Sequence, residues 1–152
     1  MPVIDRTITT AADSQAVWAY LSDFTTTTEW DPGTVRTVRV SGDGGTGTTY
    51  ENTSRFMGRE TRLTYVVVAA SAPSQIQLRA ENDQLTATDT ITFTPAGPGT
   101  VVHYRAELMF KGWLRRLDPL FRLPVLGYPF KRLGDDAQRG MERSLARLDR
   151  AP

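Results

Sequence analysis

The sequence predicts an α+β protein: an antiparallel sheet of about seven strands packed against one long C-terminal helix. Three observations carry this. From Val35 to Phe110 apolar residues recur mostly with period two, the repeat of a strand with one covered face. From Gly127 to Asp149 the spacing changes to that of one helix face. Between the alternating runs stand SGDGGTG, MG, SAPS, ND and PAGPG, whose Gly, Pro, Asn and Asp suit the tight turns of antiparallel hairpins.

The elements follow in chain order. Val3 to Thr9 is β-branched and reads as a first strand. Asp13 or Ser14 caps a helix running through Ser22, with Val17, Tyr20, Leu21 and Phe24 on its inner side. The threonine-rich FTTTTEWDPG is a loop or a short second helix reaching Trp30. Val35–Val40, Thr48–Phe56, Arg59–Ala70, Gln75–Asn82, Leu85–Thr94 and Thr100–Phe110 are the remaining strands.

Alternation assigns their faces. Leu85, Ala87, Asp89, Ile91 and Phe93 oppose an unbroken set of threonines, Thr86 to Thr94, which face water. Val102, Tyr104, Ala106, Leu108 and Phe110 point inward, with His103 between them pointing out. Tyr50, Asn52, Ser54 and Phe56 share the inner face with Leu63, Tyr65 and Val67. A slip of one residue would invert any of these assignments.

After Phe110, GWLRRLDPLFRLPVLGYP mixes large apolar residues with arginines, and Pro119, Pro124 and Pro129 rule out one continuous helix. One or two helical turns forming an apolar flap are expected there, with Pro129 opening the long helix. The buried face of that helix is thin in its middle, where Gly134, Ala137 and Gly140 replace large residues, although Gly weakens a helix by about 1 kcal/mol relative to Ala. Two uses of the missing volume stand open: close approach of helix to sheet, or room for a ligand.

Composition narrows the chemistry. With 152 residues the chain reads as one domain, and without cysteine it has no disulfide, thiolate metal site or cysteine nucleophile, in keeping with a cytoplasmic location. The opening MPVIDRTITT lacks the basic and apolar blocks of a secretory signal, and no apolar run is long enough to span a bilayer. Residues 111–152 carry ten Lys or Arg against five Asp or Glu, while residues 1–110 carry eight against twelve. That basic end is either a solvated helix face or a surface for an anionic partner.

Common motifs fail on context. Gly42, Gly44 and Gly47 have dinucleotide-loop spacing, but a strand and not a helix follows, so GDGGTG is a hairpin turn. One histidine and no cysteine leave no metal site to assemble, and His103 faces away from any triad. What survives is the polar set on the inner face: Tyr50, Asn52, Ser54, Tyr65, Asn82, Asp89 and Tyr104. Buried polar groups need partners, which are one another, water or a ligand. Burial should raise the pKa of Asp89 and suit it to general-base work, unless it is wet or paired with a tyrosine. Trp30 and Trp113 lie in irregular stretches and either line an opening or pack.

The order of strand, two small helices, six strands and long helix is that of a helix-grip fold, a curved sheet wrapped around its last helix. With VWAYLSDF at 17–24, EWDPG at 29–33, GTGTTY at 45–50 and VHYRAELMFKG at 102–112, the chain resembles the START-like (SRPBCC) superfamily in its bacterial polyketide cyclase/dehydrase-like branch. The resemblance implies a cavity between sheet and helix that takes lipids, sterols, polyketides or other apolar molecules. Some members cyclise or dehydrate a polyketide and others only bind or carry. It also shifts weight toward the ligand-room reading of the thin helix.

The expected ligand contacts are Trp30, Tyr50, Asn52, Tyr65, Ile91, Tyr104, Gly134, Ala137, Gly140 and Met141, with Asp89 as the catalytic candidate. The expected partner is a small hydrophobic molecule, with no nucleic acid, metal or cofactor. Catalysis on a polyketide-like carbonyl compound, and lipid carriage by docking the basic C-terminal segment on a membrane, are the alternatives.

Overall fold

The computed structural model describes residues 1–150. Strand β1 (Val3–Thr10) is followed by helix α1 (Ser14–Leu21), whose first N–H groups at Gln15 and Ala16 both donate to the Asp13 carboxylate at 3.0 Å. The threonine run forms a 3-10 turn (Phe24–Thr26) and the one-turn helix α2 (Thr27–Trp30), with the Thr26 and Thr27 hydroxyls donating back to the carbonyls of Asp23 and Phe24.

Six strands follow: β2 (Thr34–Ser41), β3 (Thr49–Phe56), β4 (Arg59–Ser71), β5 (Gln75–Glu81), β6 (Leu85–Ala96) and β7 (Gly99–Phe110). They form one antiparallel sheet in the order β1-β7-β6-β5-β4-β3-β2. Each hairpin partner is its sequence neighbour, and β1 closes onto β7. Register shifts in β2 and between Val67 and Ala69 of β4 add the extra residues that bend strands, and the sheet curves. Together with the long helix α3 (Pro124–Arg150), this is the helix-grip architecture.

The faces divide as the alternation requires, with two exceptions. Ile76, Leu78, Ile91 and Val102 are fully buried on the inner face, each stabilising the fold by roughly 1.5–3 kcal/mol. Thr86, expected in water, is buried. Asn82, expected inside, instead ends the β5 strand: its side-chain oxygen accepts from the N–H groups of Gln84 and Leu85, so the residue is spent on the turn.

The C-terminal helix starts earlier than expected. Pro124 takes the first helical position, where a missing N–H is harmless, and Pro129 lies within the helix. The lost bond from Pro129 falls in the opening turns, whose Val125 and Tyr128 are exposed. Before it, Gly112–Arg122 is a run of 3-10 turns, the flap, with Phe121 stacked on Phe110 and edge-on to Phe130. Within α3 the buried residues are Phe130, Gly134, Ala137, Gly140, Met141, Ser144 and Leu145.

A candidate ligand cavity between sheet and helix

Register places the inner-face residues in rows across the sheet. One row reads Ile4, Ala106, Asp89, Leu78, Val67 from β1 to β4. The next reads Leu108, Ala87, Ala80, Tyr65, Tyr50 from β7 to β3. Three alanines therefore stand near Asp89; Ala80 and Ala87 are packed in the core, and Ala106 borders open space. Above this floor lies a cavity of about 220 Å³. Its roof is Phe130 and Leu133 from the first turns of α3, and Trp30, Asp31 and Gly33 from α2 and the turn after it close one side. Leu63, Tyr65, Leu85, Asp89, Tyr104, Ala106 and Leu108 form the sheet wall.

The walls are mainly apolar, and the polar groups among them differ in what holds them. Asn52 donates to the Thr37 hydroxyl at 2.8 Å and accepts from Ser54 at 2.6 Å, and Thr37 shares a 2.6 Å bond with Thr27. This chain ties β2 and β3 to α2. Asp31 accepts from the Gly33 N–H at 3.0 Å and the Thr34 hydroxyl at 2.8 Å. Burial pushes its pKa up, those two bonds oppose the shift, and the charge of Asp136 adds to it.

Asp89 has no such support. It is 6% exposed, and burial, reinforced by the charge of Asp31, pushes its pKa from 3.8 up to about 7, with no hydrogen bond acting in the other direction. The Tyr65 and Tyr104 hydroxyls are in the same position, driven well above 10 by burial and then by the Asp89 charge. Trp30 packs edge-on against Tyr104, ring centres 5.6 Å apart, with its indole N–H on the Thr26 hydroxyl at 3.3 Å.

The structure brings together Trp30, Asn52, Tyr65, Asp89 and Tyr104 on the cavity. It does not bring the other sequence-derived contacts there. Ile91 and Tyr50 are completely buried in the core away from the void; the Tyr50 hydroxyl has no hydrogen-bond partner among the described residues. Ala137 and Met141 belong to the same closed core.

The helix glycines are also corrected. A Cβ on Gly140 would fall inside the van der Waals envelope of the Trp30 carbonyl oxygen and Cα, so this glycine lets α3 touch the backbone of α2. A Cβ on Gly134 would meet the Arg6 guanidinium at 2.8 Å and Ile4 Cγ2 at 2.9 Å. The thin middle of the helix serves close approach, and on the sheet side the cavity is bounded by the small Ala106 among larger residues.

Among the lining residues that sequence reasoning missed are Asp31, Ala106, Phe130 and Leu133, with Leu63, Leu85 and Leu108 of the sheet wall. Ala106 stands on a predicted inner face, and Phe130 and Leu133 fall on the helix spacing that runs from Gly127 to Asp149, so the signal was present, although the polar residues drew the choice away from the apolar ones beside them. Asp31 lies outside any regular element, where period gives no phase. His103 lies on the outer face, its Nε2 bonded to Asp5 at 2.7 Å, and Arg105 joins the same carboxylate at 2.9 Å. GDGGTG is the turn between β2 and β3, with Gly42, Gly44 and Gly47 at positive φ.

Among the described residues no cluster of His, Asp or Glu is placed to hold a metal ion, and no helix is long and apolar enough to cross a membrane.

No curated protein matches the sequence. Among solved structures, the Zhui aromatase/cyclase from Streptomyces sp. R1128 superposes with a TM-score of 0.79 at 14% identity, over 98% of this chain and 96% of that one. A START superfamily protein from Mycobacterium smegmatis gives 0.77 at 14%, over 97% and 99%. A conserved protein from Geobacillus kaustophilus gives 0.72 at 15%, over 97% and 96%. At such identities these similarities show the fold alone. The family model for polyketide cyclase / dehydrase and lipid transport matches residues 1–151, and the chain belongs to that family.

Proposed function

We propose that the protein holds a small apolar or aromatic molecule in the cavity between the sheet and the first turns of α3. One observation supports this above the rest: a mainly apolar void of about 220 Å³ into which Asp89, Tyr65 and Tyr104 face without hydrogen-bond partners among the described residues. Unpaired buried polar groups destabilise a fold by about 1–3 kcal/mol each, which a ligand or ordered water offsets. Asp89 is also where proton transfer of a cyclase or dehydrase kind would rest, because a pKa near 7 suits a general base at neutral pH. The family description and the aromatase/cyclase similarity lend that finer reading support. The test is contact mapping by nuclear Overhauser effects with 2-phenylethanol, a ring with a short polar arm. Contacts are expected to the methyls of Leu63, Leu108 and Leu133. Contacts confined to the outer face would refute the site.

A second reading rests on the flap. Trp113 is 71% exposed and Val125 83%, with Leu123 between them, and Arg115, Arg116 and Arg122 lie on the same segment. Apolar tips beside arginines suit a membrane surface bearing anionic lipid, from which cargo would be taken up. Vesicles of phosphatidylcholine with phosphatidylglycerol should then sediment the protein, less so at high salt and for Trp113→Ser. Sedimentation indifferent to lipid charge and salt would remove the reading.

A further inference from the structure

The charge distribution around the cavity narrows the class of molecule it takes. Asp89 stands in its row between Ala106 and Leu78, neither of which offers a side-chain donor. From the turn after α2 Asp31 adds a second carboxylate to the lining, fixed by the Gly33 N–H and the Thr34 hydroxyl. Among the described residues no lysine or histidine lines the cavity. Its one arginine, Arg55, is at the rim, mostly exposed and paired with Glu60 at 3.4 Å. Arg6, on the edge strand, is turned to α3, where it holds Asp135 at 3.0 Å and the Lys131 carbonyl at 3.2 Å. Asp136 of α3, already bound by Arg139 and 3.8 Å from Arg132, adds negative potential at Asp31. Among the described residues the cavity thus carries two carboxylates, Asp89 and Asp31, and no cation inside its rim. Trp30, Tyr65 and Tyr104 line the same space, and the faces of such rings attract cations.

We propose that the occupant is a lipophilic amine, an aryl or short apolar body carrying a protonated nitrogen that pairs with Asp89 in the field of Asp31. This rests on the cavity reading above and adds the polar group of the ligand. Size agrees with it: a dry cavity of about 150 Å³ holds benzene, so about 220 Å³ admits a ring with a short amine-bearing arm. The ammonium supplies the counter-charge that Asp89 lacks, and the aromatic wall takes the ring. Because Asp89 has a pKa of about 7, it is ionised in the weakly alkaline range and neutral in mild acid, whereas an alkylammonium stays charged throughout.

The test compares phenethylamine with 2-phenylethanol, which share a ring and arm and differ in the charged group. Calorimetric titration of the whole chain at pH 8 should show the amine bound at least about tenfold more tightly than the alcohol, the ratio expected of a charge-assisted hydrogen bond. Between pH 8 and pH 5.5 affinity for the amine should fall on the order of tenfold or more as Asp89 takes a proton, while that for the alcohol stays level. Asp89→Asn should remove the preference, and Asp31→Asn should reduce it. Circular dichroism establishes that each variant is folded, and the pH series on the unaltered protein tests the idea independently of either.

Equal or tighter binding of the alcohol at pH 8 overturns the amine proposal and leaves the cavity reading standing. So does an amine preference that survives Asp89→Asn or is indifferent to pH. Failure of both probes to bind overturns the two together.

Discussion

Asp89 has a folded pKa of about 7 against 3.8 for a free carboxyl, because the folded protein removes it from water and sets it facing Asp31. Below about pH 4 the group is protonated in both states and does no harm. As pH rises from there the unfolded chain ionises first, so stability falls until about pH 7 and then levels off, lower by about 4 kcal/mol. Asp89→Asn should therefore raise the denaturation midpoint at pH 8 and change it little at pH 4. Asp5 and Asp135, whose pKa values are lowered by His103 and Lys131 respectively, lose stability in acid in both proteins alike and drop out of the comparison. A variant equally stabilised at both pH values would show that the carboxylate is not desolvated.

At the scale of elements, the strands were legible because each hairpin has its own turn chemistry and each strand its own alternation. All seven fall within two residues of their predicted ends. The long helix was legible in its register and not in its start, since Pro124 as first residue and Pro129 within the opening turns look the same in sequence as a broken flap. The purpose of Gly140 was not legible either: its neighbour is the Trp30 carbonyl, contributed by the other end of the chain. Gly140→Ala should destabilise by about 3 kcal/mol or more, because two backbones must part. Gly134→Ala, which presses on the movable end of Arg6 and one methyl of Ile4, should cost about 1 kcal/mol or less. Urea denaturation measures both, and equal effects would mean that α3 and α2 are not in close contact. Gly140→Leu, for the same reason, reports on the fold and not on ligand uptake.

At the scale of the molecule, sequence showed an inner face mixing tyrosines, an aspartate and aliphatics, but not which part of it the helix leaves uncovered. That depends on which side chains of α3 and α2 meet the sheet. Around Ala137 and Met141 the core is solid; beside Phe130 and Leu133, over Ala106 and Asp89, the cavity opens. If this space binds the ligand, Ala106 is its most direct probe, a small lining residue between Ile4 and Asp89. Calorimetric titration of 2-phenylethanol into the unaltered protein and into Ala106→Leu is the decisive measurement. One molecule should bind each unaltered chain, and the leucine should weaken binding tenfold or more while leaving the circular dichroism spectrum unchanged, roughly the effect of filling the space with three carbons. Binding of equal strength in the two proteins would place the ligand somewhere else.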